Sequence, residues 1–471
     1  MDIIKNYREL SRKSLYPPVP TAPARAYFDP GRQVFIDAKG REYPFSHPHV
    51  HLVFPSMGKL TTKTTSAVFR SMGIRATAFP AANEEALKLG RGNTSCKECL
   101  PLLLTVGSLL KYLQERETDD ELLVYFMPGA SGPCRFGQYY YFIRDLISRA
   151  GIEDVTLFSL NAENSYTGFG GNDFTLKLWS AIVISDIMQD IYSLLLVNAR
   201  DRDAALAVYE NECRRIIEAL ERSADFKDLK KTLLTVADNL KAIPVKRHPR
   251  DTPTVLLTGE IFVRHDDISR QFLVEKLAEQ GLATKVSSLM EWVYYTDWCY
   301  LKNLGGNTPN LMERLSLFLR SRWMKSYERA FKKIMARSNL LPYRLEVVDH
   351  LISNVRHLIN PELVGEAILT IGSAVTEILD PYCGVIAIGP FGCMPNRLSE
   401  AILTREMSTD WRSPASGNPR RGAGNLLKNI RELPFLAIES DGNPFPQIIT
   451  AKLEVFLLQA ARVHRALGVR R

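Results

Sequence analysis

The chain has 471 residues, 45% hydrophobic and 24% charged, and its 60 basic against 52 acidic residues give a formal net charge of +8. This length predicts two or three domains with buried cores, and the composition is that of an ordinary globular protein. The small basic excess allows an acidic or phosphate-bearing partner. Without a visible aromatic and basic binding module, it does not indicate nucleic acid.

No targeting or membrane segment is expected. The chain starts with the polar stretch MDIIKNYRELSRKS, which is not typical of a signal peptide. The most apolar helical window, Leu178–Val197, is interrupted by Asp186 and Asp190, which argues against a membrane span. Seven cysteines in a long chain without an export signal favour reduced thiols, so we expect a cytoplasmic protein without disulfides.

Residues 1–48 are rich in proline and charge, and we expect a docking arm or an irregular cap there. His47, His49 and His51 follow, and their spacing predicts that they alternate into a strand, which would put them on one face. A metal site is one interpretation of this pattern, but we favour a strand entry with polar residues at an edge.

From residue 49 to 173, strand and helix patterns alternate, which predicts a parallel sheet covered by helices. The GFGG motif near the end of this unit lacks a phosphate-loop pattern and is interpreted as a turn. Residues 174–250 have a helical pattern that ends in a linker. A second α/β unit, 251–471, starts at the strand TVLLTG and closes with a C-terminal helix. The predicted fold class is therefore α/β, with two parallel-sheet units, a helical insertion and helical additions.

Three cysteines share one local pattern, a turn rich in glycine or proline that leads into a helix. Cys134 and Cys393 each follow an apolar strand, and Cys99 precedes Pro101, which suits a first helical turn. A helix N-terminus favours thiolates, and ligands collect at the carboxyl ends of parallel strands. We therefore expect the three sulfurs to meet in one positively biased pocket between the two α/β units.

Three hypotheses for these thiols stay open on spacing alone. An iron–sulfur cluster would use Cys99, Cys134 and Cys393, with Cys96 as a spare or fourth ligand. Zinc would use all four sulfurs, although zinc ribbons usually have two CxxC pairs and CKEC stands alone here. The third hypothesis is three unrelated buried thiols. Cys213 and Cys299, inside helical patterns, are expected to be core residues.

Polar residues near these turns are candidate cofactor or substrate contacts. Arg135 and Gln138, in the first helical turn after Cys134, could hydrogen-bond cluster sulfides or a substrate oxygen, or else cap the helix. Four charged residues of the second unit are weaker pocket candidates, for which surface or interdomain salt bridges are the favoured interpretation. These four are Glu260, Arg264, Glu439 and Asp441.

Several motifs over about Val50–Leu458 carry a family resemblance. They include GPCRFGQY, TGEIFVRHDDISRQFLVEKLAEQG with EWVYY, GEAILTIG and IGPFGCMPNRLSEAIL. Together they resemble the 2-hydroxyacyl-CoA dehydratase superfamily, and most closely its branch of activase-related proteins and double-cubane-cluster reductases. GPCRFGQY and PFGCMP are the most specific of these motifs.

The resemblance implies two Rossmann-like domains and a low-potential cluster, [4Fe–4S] or double-cubane, held by Cys99, Cys134 and Cys393. It also implies a homo- or heterodimer and an ATP-dependent activase of the actin/Hsp70-like class as partner. This chain has no P-loop and no actin/Hsp70-type phosphate motif, so we expect no nucleotide site in it. The expected function is that of an anaerobic, oxygen-sensitive iron–sulfur protein that passes electrons to a bound substrate or partner enzyme. The alternative is a non-enzymatic scaffold subunit that holds a cluster or zinc.

Overall fold

The computed structural model describes residues 25–95, 97–117, 120–130, 134–160, 169–222, 225–304, 309–345, 347–408 and 430–468. The described strands, β1 to β11, are Tyr27–Asp29, Val34–Ile36, Glu42–Pro44, Val50–Phe54, Ala76–Ala78, Leu122–Phe126, Val155–Phe158, Thr254–Gly259, Ala283–Val286, Val385–Pro390 and Phe435–Ser440. The described helices, α1 to α15, are Thr61–Arg70, Glu84–Gly92, Leu100–Glu115, Tyr139–Arg149, Gly171–Asn198, Arg202–Glu221, Phe226–Lys241, Ile261–His265, Leu273–Glu279, Leu289–Leu301, Leu311–Met335, Val348–Val355, Ala367–Glu377, Met394–Glu406 and Gln447–Gly468.

The fold is α/β with two four-stranded sheets, each parallel throughout, which confirms the predicted fold class. The first lobe holds the sheet β5-β4-β6-β7, and the second lobe holds β11-β10-β8-β9. If the four strands of each sheet are numbered along the chain, both sheets have them side by side in the order second, first, third, fourth. Such an arrangement opens a crevice at the carboxyl ends of the first and third strands, where the chain turns to opposite sides of the sheet.

The described part of the N-terminal arm forms a small antiparallel sheet of β1, β2 and β3. The rings of Phe28 and Phe35 pack on Phe158 of the first lobe, with centroids 5.5 and 6.5 Å away. Burial of these aromatic side chains removes apolar surface from water and fixes the arm on the lobe. Residues 25–48 thus include a regular cap.

The predicted alternation of three histidines along a strand is wrong. β4 begins only after His49, and the rings of His47 and His49 lie in the preceding turn, each 4.8 Å from the Tyr43 ring. His51 is buried on the strand, with Nδ1 3.1 Å from a Glu121 carboxylate oxygen. Only one of the three histidines therefore lies on the strand, and it has a structural partner.

Helix α5 joins the two lobes. A stretch within it, Asp173–Asn198, is long and apolar enough to cross a membrane, but 83% of its most apolar window is buried inside the protein. Asp186 on this helix accepts hydrogen bonds from the first two N–H groups of α10, both at 3.1 Å. Asp190 forms a 2.7 Å ion pair with Lys285. These contacts are those of a core helix, and both charges that interrupt its apolar pattern are used in packing.

The lobes also meet directly through an apolar cluster. Its buried members are Leu87, Leu100, Leu103 and Leu104 from the first lobe and Phe262 and Ile268 from the second. Around this cluster, Lys59 of the first lobe lies 3.2 Å from a Glu275 carboxylate oxygen, and Arg91 donates to the carbonyl of Asp441 at 2.7 Å. The carboxyl ends of the two sheets are thereby held facing a common cleft.

Candidate functional site

Each of the three predicted cysteines is the residue that precedes a helix. Cys99 is the N-cap of α3, Cys393 is the N-cap of α14, and Cys134 precedes a 3₁₀ turn, Arg135–Gln138, that leads into α4. Both α3 and α14 have proline in their first turn, where its missing N–H costs no hydrogen bond. The sequence-based placement of these cysteines at helix N-termini is confirmed.

Topology explains why two of the sulfurs come together. Cys134 follows β6 and Cys393 follows β10, and each of these is the third strand of its sheet. The backbone of Gly392 has a φ of +69°, which suits glycine and turns the chain so that Cys393 begins the helix. Cys99 directly precedes Leu100 of the interlobe apolar cluster, so it lies at the edge of the same cleft.

Mutual electrostatic effects show that these thiols share one neighbourhood. The charge of Cys99 acts to raise the pKa of Cys134, and the charge of Cys134 acts in the same way on Cys393. The Glu260 carboxylate raises the pKa of all three cysteines. Residues from three distant parts of the chain therefore lie in one electrostatic neighbourhood, with a second-lobe carboxyl group among them.

The thiols are protonated in the absence of a cation. Withdrawal from water raises the pKa of Cys134 to about 12, although this is the most exposed of the three residues, and burial also raises the pKa of Cys99 and Cys393. Backbone N–H groups of the following helices lower each pKa but do not outweigh the burial. The expected positive bias is thus limited to the helix ends, because the nearby side chains are mainly acidic.

Two carboxyl groups of the second lobe form the acidic part of this cleft. Glu260 caps α8 by accepting the Val263 N–H at 2.8 Å, and Glu366 accepts the Ile261 N–H at 3.0 Å. Burial raises the pKa of Glu366 well above its usual value, and the charge of Glu260 raises it further. Burial likewise raises the pKa of Glu260. The pair therefore favours a protonated state in which like charges do not face each other.

Glycine at position 259 lets this turn sit close to the neighbouring strand. A Cβ there would stand 2.0 Å from the carbonyl oxygen of Ile388, and the φ of +109° is one that L side chains rarely adopt. The next residue, Glu260, donates its N–H to the same carbonyl at 2.8 Å. The turn after β8 is thus fixed beside β10, which leads to Cys393.

Arg264 is a structural residue beneath the cleft. It is fully buried and donates to the carbonyl oxygens of Gly259, Ser287 and Ser288 at 2.6, 2.9 and 3.1 Å, and to Glu291 at 3.0 Å. A guanidinium with this many partners is compensated for the loss of water. Arg264 has an ion pair with Glu291, but the pair is buried within the second lobe, so the favoured prediction of a surface or interdomain salt bridge is wrong for this residue. Arg264 holds together the turns after β8 and β9.

Arg135 and Gln138 differ in what they contact. Arg135 donates to the carbonyl oxygen of Lys97, which ties the Cys134 turn to the Cys99 turn. Gln138 is exposed at the start of α4 and its side chain does not cap that helix. The residue that the sequence analysis missed is Tyr139, whose buried hydroxyl lies against the Cys99 sulfur. The sequence feature that could have indicated Tyr139 is the run of three tyrosines that follows GPCRFGQ.

Glu439 and Asp441 hold turns. Glu439 accepts the Gly392 N–H at 3.1 Å and lies 3.3 Å from Arg397, and the Asp441 carbonyl takes the interlobe contact from Arg91. These contacts agree with the salt-bridge interpretation. Glu439 supports the glycine turn that positions Cys393.

The three cysteines and the two carboxyl groups together have features of a site for a bound cationic group. Three sulfurs and two carboxyls, all of raised pKa, have more acidic than basic groups around them. One turn beyond Cys393, the buried Asn396 amide has no hydrogen-bond partner within the described residues. An orphaned amide is costly in a protein interior, and an additional group in the cleft would relieve that cost.

The described residues do not form a compact site for a single metal ion. Among them, no three His, Cys, Asp or Glu side chains lie close enough together to hold one ion. Cys96 lies outside the described residues.

A cavity in the described part of the chain lies at the opposite end of the second sheet. It has a volume of about 850 Å³ and includes residues from the starts of β8 and β9, such as Thr254 and Ala283. None of the three cysteines lines it. The cavity is therefore separate from the thiols and was not indicated by any sequence motif.

Glu366 is the second site residue that the sequence analysis did not single out, although it lies within the GEAILTIG motif that contributes to the resemblance. Comparison with known proteins adds no further assignment. No family model, no curated protein and no solved structure matches this chain.

Proposed function

We propose that this protein binds an iron–sulfur cluster through Cys99, Cys134 and Cys393 and uses it to relay low-potential electrons to a substrate or a partner enzyme. An ATP-dependent activase on a separate chain would deliver those electrons. The single observation that carries the proposal is the convergence of three N-cap cysteines from both lobes on one acidic cleft.

The residues around the sulfurs have definite tasks in this proposal. The Tyr139 hydroxyl lies against the Cys99 sulfur and would donate a hydrogen bond to a thiolate there, which would stabilise it. Arg135 keeps the Cys99 and Cys134 turns together by its bond to Lys97. When bound, the cluster would supply one-electron chemistry at low potential. The partly exposed position of Cys134 leaves one side of the site open to a partner or substrate.

The test is anaerobic purification followed by iron, sulfide and zinc analysis. We expect a brown protein with about four irons per chain for one cubane, or about twice that for a double cubane. Single alanine substitutions of Cys99, Cys134 and Cys393 should each lose most of the iron. The matched control is Cys213→Ala, a half-buried helix cysteine outside the cleft, which should keep it. Stoichiometric zinc, or full iron in Cys134→Ala, would contradict the proposal.

A second experiment separates an enzyme from a scaffold. The reduced protein, with an activase, ATP and a reductant, is assayed for turnover of small 2-hydroxyacyl or unsaturated acyl thioesters. Turnover that is lost in Cys134→Ala supports the enzyme. A cluster-loaded protein that accepts electrons but converts none of these compounds supports an electron carrier, and one that accepts no electrons supports a scaffold subunit.

A further inference from the structure

Helix α11 has one packed face and one face that is open to solvent. The packed face includes the buried side chains of Leu317, Met324 and Phe331. On the open face, the first half of the helix carries large apolar side chains that are 50–84% exposed. We call these side chains the α11 stripe, and they are Leu311, Met312, Leu315, Phe318, Leu319 and Trp323.

The helical period gathers the α11 stripe onto one side. At 100° per residue the six positions fall within about 140° of arc, opposite the packed face. With roughly 180 Å² for a large apolar side chain, the stripe exposes about 600–700 Å². The largest apolar patch of a typical monomer is about 300–600 Å² and is often functional. The α11 stripe exceeds this range, which indicates a surface that another molecule covers.

The exposed charges on the same side of α11 are all positive. The helix has seven Lys or Arg residues and two Glu residues. Arg322, Arg329 and Lys333 are exposed, and the helical period places all three within the arc of the α11 stripe. The open face therefore begins with large apolar side chains and continues with three cations.

Both glutamates of α11 lie on its packed side and are used within the protein. Glu313 accepts the Asn310 N–H at 2.9 Å and the Tyr300 hydroxyl at 3.2 Å. Glu328 is buried and accepts the Tyr294 hydroxyl at 2.7 Å. The open face thus has no carboxylate that would repel an anionic partner.

The shape of the open face favours a flat partner. Neither the cavity beside β8 and β9 nor the smaller cavity beside α10 has a residue of the α11 stripe in its lining. A peptide or a partner helix usually binds in a groove, whereas the convex side of one helix fits the plane of a bilayer surface. Large apolar side chains beside Lys and Arg are typical of helices that lie in the interface of an anionic membrane.

We propose that α11 binds the surface of an anionic phospholipid membrane. The α11 stripe enters the boundary between headgroups and acyl chains, and Arg322, Arg329 and Lys333 contact the lipid phosphates. The helix lies parallel to the membrane and does not cross it, because its other side is packed on the protein. This proposal does not depend on the cysteines or on a bound cluster.

The first test is co-sedimentation of the purified full chain with vesicles. These contain phosphatidylcholine, either alone or with about one-third phosphatidylglycerol. The chain should bind the anionic vesicles, should bind the neutral ones much more weakly, and should be released by about 1 M salt, which screens the attraction. Leu315→Glu with Phe318→Glu should weaken binding more than about a hundredfold, because two large apolar side chains no longer enter the lipid.

The matched control for these substitutions is Leu458→Glu. It adds the same charge at a residue that is 65% exposed on α15, which packs on β11. Helix α11 instead packs on α5, which lies beside β9 at the opposite edge of the second sheet. The control should therefore keep its binding. An unaltered chain that does not bind anionic vesicles, or a doubly substituted chain that binds as well, would overturn the proposal.

Charge removal tests the role of the cations. Arg322→Gln with Arg329→Gln should weaken binding to the anionic vesicles about fivefold for each residue and leave binding to the neutral vesicles unchanged. The control is Arg462→Gln with Arg465→Gln, which removes two exposed cations from α15. Equal effects of the two pairs would show attraction by the net charge alone and would contradict a contact through α11.

Tryptophan emission tests the position of the stripe. Trp323 is 58% exposed, whereas Trp179 and Trp298 are buried. Anionic vesicles should shift the emission to shorter wavelength, because the Trp323 indole leaves water. Trp323→Phe should lose most of this shift and still sediment with the vesicles, since the new side chain is also aromatic and apolar. A shift that persists in this variant would contradict the proposed position.

A second copy of the chain is the competing occupant of the stripe. Light scattering gives the molar mass of the unaltered chain and of Leu315→Glu with Phe318→Glu. Twice the chain mass of 53.2 kDa, reduced to one chain by these substitutions and without vesicle binding, would replace the membrane with a second copy. Iron content is measured in every variant. Because the stripe is distinct from the cysteine cleft, loss of vesicle binding should leave the iron content unchanged, so the two proposals fail independently.

Discussion

The two lobes have the same strand order but bring different chemistry to their shared cleft. Cys134 and Cys393 occupy equivalent positions, each after the third strand of its sheet. After the first strand the lobes differ, since the first lobe continues with Pro55 and Ser56 while the second continues with Glu260. The shared topology determines where the turns converge, and single residues in equivalent turns determine the charge of the site.

The lobes also differ in how firmly these turns are held. In the second lobe, Arg264 is buried and bonds to three backbone carbonyls and to Glu291. In the first lobe, the turn after the third strand has Arg135, which is exposed and donates a hydrogen bond to the carbonyl oxygen of Lys97. The second lobe therefore brings Glu260, Glu366 and Cys393 to the cleft beside turns with many hydrogen bonds, whereas the first lobe brings Cys99 and Cys134 on more exposed turns.

The largest expected effect tests this difference in rigidity. Arg264→Met leaves the three carbonyls and Glu291 buried without their donor, so we expect a loss of about 3–5 kcal/mol in the free energy of unfolding. The matched change, Arg135→Ala, removes an exposed contact and should cost less than about 1 kcal/mol. Urea unfolding measures both, and equal losses would show that the lobes are held alike.

The next prediction tests the two carboxyl groups of the second lobe, Glu260 and Glu366. Glu366→Gln keeps the acceptor for the Ile261 N–H but cannot ionise beside Glu260. The raised pKa of Glu366 means that its ionised form destabilises the folded, metal-free protein. The variant should therefore gain about 0.5–2 kcal/mol at pH 8. That gain should disappear as the pH falls through the raised pKa towards the usual carboxyl value, where both proteins are neutral at this position.

Thermal unfolding of metal-free protein between pH 4 and pH 8 measures this gain. A difference between the two proteins that does not change with pH would contradict the assignment of a raised pKa to Glu366. Glu439→Gln is the control, because Glu439 holds a turn near Cys393 by accepting the Gly392 N–H and is a carboxyl outside the Glu260–Glu366 pair.

The smallest expected effect is on the reactivity of the three thiols, which depends on the carboxyl groups of the second lobe. The Glu260 charge raises the pKa of Cys99, Cys134 and Cys393, whereas the Glu366 charge acts on Cys134 and Cys393. Glu260→Gln should make all three thiols of the metal-free protein react about two- to fivefold faster with iodoacetamide at pH 8, since one partly screened charge is worth about 0.5–1 kcal/mol.

Glu366→Gln should accelerate Cys134 and Cys393 more than Cys99. Peptide mapping of the alkylated residues separates the three rates, with Cys383, buried at the other end of β10, as the unreactive reference. If neither substitution changes the rates, the carboxyls and thiols do not share one electrostatic environment.

The sequence predicted the fold class and the local position of each site cysteine. Apolar strand runs, glycine turns and proline in first helical turns are local signals, and the structure follows them at Cys99, Cys134 and Cys393. The histidine prediction was wrong because spacing alone cannot show where a strand begins, and β4 begins after His49.

The acidic character of the cleft was decided by tertiary structure. Glu366 lies more than 200 residues along the chain from Cys134, and Tyr139 meets Cys99 only when α3 and α4 pack in the first lobe. A pKa depends on the burial and the charges that folding assembles around a group. Local sequence therefore determined which residues stand at helix ends, whereas the packing of two lobes determined which of them face each other and in what state of protonation.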